Sequence, residues 1–145
     1  MKFIWLFQQT LDLPLFAWPV TLSLLIFVAI SLFYTRSRGH LVRARNLLFL
    51  GAVMIFPLAI VALGAIFQAP LQTDPASQIR SWQHRSESAF YPIDLVLWLH
   101  IFYAIALVAV LKGLRLFAAA LSLLTFWLTC SADFIAQMSI SGEWL

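Results

Sequence analysis

The sequence predicts an all-α integral membrane protein with four transmembrane helices in an up-down bundle. The first observation is composition: 63% of the 145 residues are apolar and 10% are charged, with a mean hydropathy of +0.93. A soluble domain is typically about 45–50% apolar and about 25% charged, so this chain has too few charges to cover a soluble surface. The second observation is that four apolar runs approach or exceed the roughly 20 residues that a helix needs to cross the hydrocarbon core. We place these spans in a single membrane domain, residues 1–145, at 15–34, 47–68, 93–111 and 116–138.

The third observation is the distribution of charge between the two ends of the spans. The connections after the first and third spans contain no acid, and their basic residues are Arg36, Arg38, Arg43, Arg45, Lys112 and Arg115. The opposite ends hold the other three basic residues and all six acids. Lys and Arg in short loops are retained in the cytoplasm. Taking the membrane to be a bacterial inner membrane, this partition predicts a multi-pass protein with both termini on the periplasmic side.

Prolines and capping residues predict where the helices begin and bend. Pro14 lies near the start of the first span, where proline suits a helix entry. Pro57 lies inside the second span and has no amide hydrogen to donate to Val53, so we expect a kink there. Ser88 is a candidate N-cap for the third span, with Pro92 in the first turn.

The long connection between the second and third spans predicts a short interfacial helix at about 75–86. Asp74 followed by Pro75 is a good helix start, and Trp82 should point inward from the outer membrane surface. We interpret this segment as a docking surface for a periplasmic partner or lipid headgroups, and a solvated helix face is the alternative. The residues of this predicted surface are Arg80, Trp82, His84 and Arg85.

Residues 1–13 precede the first span and are too polar to extend it. Gln8, Gln9 and Asp12 interrupt their apolar character. Two interpretations stay open: an interfacial segment on the outer surface, or an ordered segment that packs on the bundle.

His100 is the residue that the sequence singles out inside the membrane. The third and fourth spans form a hairpin that turns near Gly113, so residues whose numbers sum to about 227 lie at one depth. This places His100 beside Trp127, about 20 Å from the turn at about 1.5 Å per residue, within the apolar slab. An ionisable residue at that depth is a functional candidate because charge is costly there.

His100 and Tyr103, one turn apart, are candidate residues for binding haem or a quinone. A neutral imidazole can ligate haem iron or bind a quinone oxygen. A bis-histidine haem needs two axial histidines, and the predicted spans contain one, so haem b or quinone would require a partner subunit. The cofactor therefore stays unknown, and a neutral, hydrogen-bonded packing histidine is the alternative.

Thr129, Asp133 and Gln137 recur every four residues and form a polar stripe on the fourth span. Asp133 lies about 29 Å from the turn, which places it near the outer boundary, where water is available. Such a stripe hydrogen-bonds neighbouring helices or lines a wet cleft.

Function is predicted mainly by what the chain lacks. The sequence has no nucleophile motif, phosphate-binding loop or zinc-ligand spacing, and its basic residues flank apolar runs instead of forming a nucleic-acid surface. We therefore expect no catalytic residue and no metal site. We predict a non-catalytic accessory or assembly subunit of a larger inner-membrane complex, in contact with lipid and other membrane subunits. The alternatives are a redox-anchor subunit that uses His100, a small channel or transporter component, and a membrane enzyme acting on lipid or a porphyrin, for which no motif is present.

Overall fold

The computed structural model describes the backbone of residues 2–37, 44–67 and 75–141, and the side chains of 3–37, 46–67 and 90–141. These parts of the chain are helical and contain no strand. The helices are α1 (Lys2–Phe16), α2 (Trp18–Ser37), α3 (Ala44–Ala52), α4 (Ile55–Ile66), α5 (Pro75–Val110) and α6 (Arg115–Ser141).

Four stretches are long and apolar enough to cross a membrane, which confirms the prediction of an all-helical, multi-pass membrane protein. Their bounds lie within three residues of the predicted ones, and they are Trp18–Ser37, Asn46–Ile66, Phe90–Val110 and Arg115–Ser141.

The second span is broken between α3 and α4, where Pro57 predicts a kink. The proline ring has no N–H for the Val53 carbonyl, which instead accepts from the Phe56 amide at 3.4 Å. The Met54 amide donates to the Gly51 carbonyl at 3.0 Å, again three residues back. The chain therefore makes two tight turns here before α4 resumes the span.

The connection before the third span differs from its prediction. The helix that begins at Pro75 does not end at residue 86, and Ser88 does not cap a new one, because α5 runs unbroken for 36 residues to Val110 with Pro92 inside it. Residues 76–91 contain no glycine, so no strong helix terminator separates the two predicted helices. The side chains of Arg80, Trp82, His84 and Arg85 lie outside those that the structure describes.

α6 is the central helix of the bundle. It packs against α1, α2, α4 and α5, because small and hydroxyl side chains on its buried faces let other helices approach closely. The closest approach is to α4: a methyl group added at Gly64 would lie 2.8 Å from the Cβ of Ala136. Ser139 also donates a hydrogen bond to the Gly64 carbonyl at 3.4 Å.

α1 packs on the bundle, which agrees with the second of the two interpretations of the N-terminal segment. Its principal neighbours are α4 and α6. Leu6 and Thr10 are buried, and Leu6 joins an apolar cluster that includes Ile60, Ile93 and Ala132. The segment therefore contributes to the core at that end of the bundle.

α2 lies at the edge of the bundle. Its principal neighbours are α6 and α1, and its buried side chains are Ser31 and Thr35. Most of its large apolar side chains are exposed, as expected for a helix that faces lipid or another subunit.

Candidate functional site

His100 lies on α5 midway between two apolar clusters. Ile93, seven residues before it, belongs to one cluster, and Leu107, seven residues after it, belongs to the other. Two turns of a helix take about seven residues, so the three side chains share one buried face. The imidazole is therefore the polar centre of an otherwise apolar seam.

Two threonines of α6 meet the imidazole nitrogens. Nδ1 lies 2.8 Å from the hydroxyl oxygen of Thr129, and Nε2 lies 3.4 Å from that of Thr125. The Thr129 hydroxyl donates its one hydrogen to the Thr125 carbonyl at 2.7 Å. It must therefore accept from Nδ1–H. Because a charged imidazole is costly at this depth in a membrane, we assign a neutral ring with its proton on Nδ1.

Two aromatic rings also pack against the imidazole. Phe56 of α4 stacks on it with ring centroids 4.9 Å apart and planes 12° apart. Phe126 of α6 meets it edge-on at 5.8 Å. As a result His100 is wholly buried, with 0% of its surface exposed.

Tyr103 does not bring its hydroxyl to His100. The hydroxyl donates to the carbonyl of Phe49 at 2.8 Å and so links α5 to α3 just before the break in the second span. The Tyr103 ring meets Phe56 at 5.5 Å. The two predicted cofactor residues therefore share contact with Phe56 and have separate hydrogen-bond partners.

The arrangement around His100 is chemically that of a neutral, hydrogen-bonded packing residue. Haem ligation or quinone binding needs an imidazole nitrogen that faces the ligand, but Thr125 lies beside Nε2 and Phe56 covers one face of the ring. A cofactor would have to displace them. The cofactor role of His100 and Tyr103 stays a prediction.

The polar stripe of α6 turns from the interior to the surface. Thr129 is buried, Asp133 is half-buried and Gln137 is exposed. Four residues rotate a helix by about 400°, so each step of the stripe moves about 40° around the axis. The Gln137 amide donates to both carboxylate oxygens of Asp133 at 3.0 Å, so these two form a surface pair.

Sequence reasoning missed several partners in this region. Thr125 lies four residues before Thr129 and continues the polar stripe inward, so extending the stripe would have found it. Phe56 offered no sequence signal. Trp127, predicted beside His100, instead donates its indole N–H to the Thr21 hydroxyl of α2 at 3.1 Å.

Neither a metal-binding cluster among the described residues nor a known relative identifies the site. Within the part of the chain that the structure describes, no group of three or more His, Cys, Asp or Glu residues is placed to hold a metal ion. Comparison with protein-family models, curated proteins and solved structures found no match for this chain. The candidate site is therefore defined by its geometry.

Proposed function

We propose that this protein is a non-catalytic accessory or assembly subunit of a larger complex in a bacterial inner membrane. The observation that carries the proposal is the enclosure of His100. This mid-membrane side chain is wholly buried, and its Nδ1–H is bonded to Thr129 of the same chain, so it supports helix packing. Other molecules would then bind to the outer faces of the spans.

The face most suited to another subunit is on α2. In the most apolar 18 residues of this helix 11% of the residues are buried, whereas in the corresponding 18 residues of α6 50% are buried. Ile26, Ile30 and Phe33 are exposed and lie on one face at helical spacing. Lipid tails can also cover such a face, so its role has to be tested against a comparable face elsewhere.

Purification from native membranes tests this proposal. The tagged chain is extracted in a mild detergent, and the co-purifying subunits are identified by mass spectrometry. We expect stoichiometric partners with the wild-type chain and fewer with Ile30→Ala combined with Phe33→Ala. The matched control is Phe102→Ala combined with Ile105→Ala, on an exposed face of α5, which should keep the partners. A wild-type chain recovered as a partner-free monomer would contradict the proposal.

We propose the up-down topology with both termini in the periplasm, supported by the charge partition. The test uses Cys130→Ala as a cysteine-free background, since this is the one cysteine of the chain. In intact cells a membrane-impermeant maleimide should label His84→Cys, and should label His40→Cys only after permeabilisation. The reverse pattern would contradict the orientation.

The alternative function is a redox anchor, and one observation favours it. The assigned tautomer leaves a lone pair on Nε2 of His100, and the nearest hydroxyl, that of Thr125, is 3.4 Å away. Nε2 is a nitrogen through which histidine binds metals. The visible spectrum of the purified complex tests this role: a haem band that disappears in His100→Ala would support it, and a complex without such a band would exclude a haem ligand.

A further inference from the structure

A half-open apolar groove of about 160 Å³ lies between α3 and α5. Phe49, Ala106 and Val110 are exposed on its sides, so the groove opens on the membrane-facing surface of the bundle. The lining is apolar apart from the Tyr103 hydroxyl, and its residues are Phe49, Tyr103, Ala106, Leu107, Val110 and Leu111.

The groove is built by one small residue between larger ones. Ala106 lies three residues after Tyr103 and four before Val110, so the three share one face of α5. The alanine methyl leaves space that the two flanking side chains border. At the deep end, the hydrogen bond from Tyr103 to the Phe49 carbonyl holds α3 against α5.

The shallow end of the groove is electropositive. Leu111 lines it, and the turn that follows presents Lys112 and Arg115, both exposed. The sequence from 95 to 132 contains no acidic residue. The eight-residue rise from Tyr103 to Leu111 is about 12 Å, and half of the hydrocarbon core is about 15 Å. The groove therefore begins at the charged turn and extends nearly as far as the bilayer midplane, which is the depth that an acyl chain reaches.

We propose that this groove holds one acyl chain of an anionic phospholipid whose phosphate binds Lys112 and Arg115. A basic residue near the membrane surface favours an anionic lipid by about 1 kcal/mol, or about fivefold. The groove fixes where the acyl chain lies but contributes little to the affinity for the lipid, because the surrounding lipid tails are as apolar as the groove lining. The site does not depend on whether the chain is an accessory subunit, nor on which side of the membrane the turn lies.

Photo-crosslinking in vesicles locates the bound lipid. The full chain is reconstituted in phosphatidylcholine vesicles that contain a minor fraction of phosphatidylglycerol with a diazirine on its acyl chain. A parallel sample carries the same diazirine on phosphatidylcholine. After irradiation and proteolysis, mass spectrometry should find phosphatidylglycerol adducts concentrated on residues 103–111 and on the peptide containing Phe49. The phosphatidylcholine probe should label these residues far less.

Two sets of variants separate the headgroup from the groove. Lys112→Gln with Arg115→Gln should reduce the preference for phosphatidylglycerol by up to about 25-fold, the product of two fivefold contributions. Ala106→Phe should fill the groove and abolish the local adducts. Ala109→Phe is the matched control, since Ala109 is exposed on α5 and does not line the groove.

Several results would overturn the proposal. These are equal labelling by both probes, adducts spread evenly over the exposed faces, and an Ala106→Phe variant that still labels like wild type. Adducts on α2 at the wild-type level show that each variant has inserted into the bilayer, and circular dichroism shows that it keeps its helices. Ala106→Leu, a smaller change, replaces Ala106→Phe if the latter loses those adducts, and it should weaken the groove adducts in the same direction.

Discussion

The hydrogen bond between His100 and Thr129 should appear as a coupling between the two positions in the free energy of unfolding. Thr129→Val removes the acceptor and leaves the buried Nδ1–H without a partner, at a cost of about 1–3 kcal/mol. His100→Phe keeps a ring between Phe56 and Phe126 and removes the N–H itself. In that background Thr129→Val should therefore cost less.

The difference between the two costs is the coupling energy. Hydrogen bonds between membrane helices give couplings of about 0.6 kcal/mol on average and about 1.7 kcal/mol at most. Because this bond is short, at 2.8 Å, and wholly buried, we expect a coupling energy above that average and up to that maximum. The loss of the bond from Thr129 to the Thr125 carbonyl occurs in both backgrounds and cancels in the cycle.

Reversible unfolding in mixed micelles, by added dodecyl sulphate and followed by circular dichroism, measures the four free energies. Ser131→Ala is the matched control, because the buried Ser131 hydroxyl donates to the Trp127 carbonyl of its own helix. Its cost should be equal with His100 and with Phe at position 100. If the costs of His100→Phe and Thr129→Val add within about 0.5 kcal/mol, as they do for independent sites, the assigned bond does not stabilise the protein.

Two further substitutions test the packing around α6 by the same unfolding measurement. Gly64→Ala should lower the free energy of unfolding by about 1–3 kcal/mol, because its methyl would meet Ala136 at 2.8 Å and force α4 and α6 apart. Gly51→Ala, with no atom within 4 Å of its added methyl, should be neutral or stabilise by up to about 1 kcal/mol; equal losses at both glycines would refute the close approach. Trp127→Phe should cost about 0.6 kcal/mol through the lost bond to Thr21, and a cost that persists unchanged in a Thr21→Val background would show that the bond contributes nothing.

The sequence predicted the depth of each side chain along its helix. It did not predict which neighbouring helix that side chain faces. The hairpin rule placed His100 opposite residue 127, and its contacts at Thr125, Phe126 and Thr129 are centred on that position. The rule carries no information about rotation, so it could not show that Trp127 faces α2. Rotation depends on which helices surround α6, and that is a tertiary property.

Long-range partners were the other part that the sequence could not supply. Gly64 has no second small residue four positions before or after it, so no small-residue motif marked it as the partner of Ala136. The contact of Phe56 with His100 depends on the break before α4, whose position Pro57 predicted but whose direction it did not. The position of the break therefore follows from the local sequence. The contact that the break allows between Phe56 and His100 follows from the packing of the helices.

The central place of α6 has a consequence for how the protein is made. α6 follows the other three spans along the chain, yet it is the helix against which each of them packs. During synthesis the earlier spans therefore leave the ribosome before their main packing surface exists. Until α6 enters the bilayer, His100 has no threonine to bond and Gly64 has no helix to meet. Nascent chains at this stage should depend on insertion chaperones and be open to membrane proteases. The arrival of α6 should mark the step at which these spans become resistant to degradation.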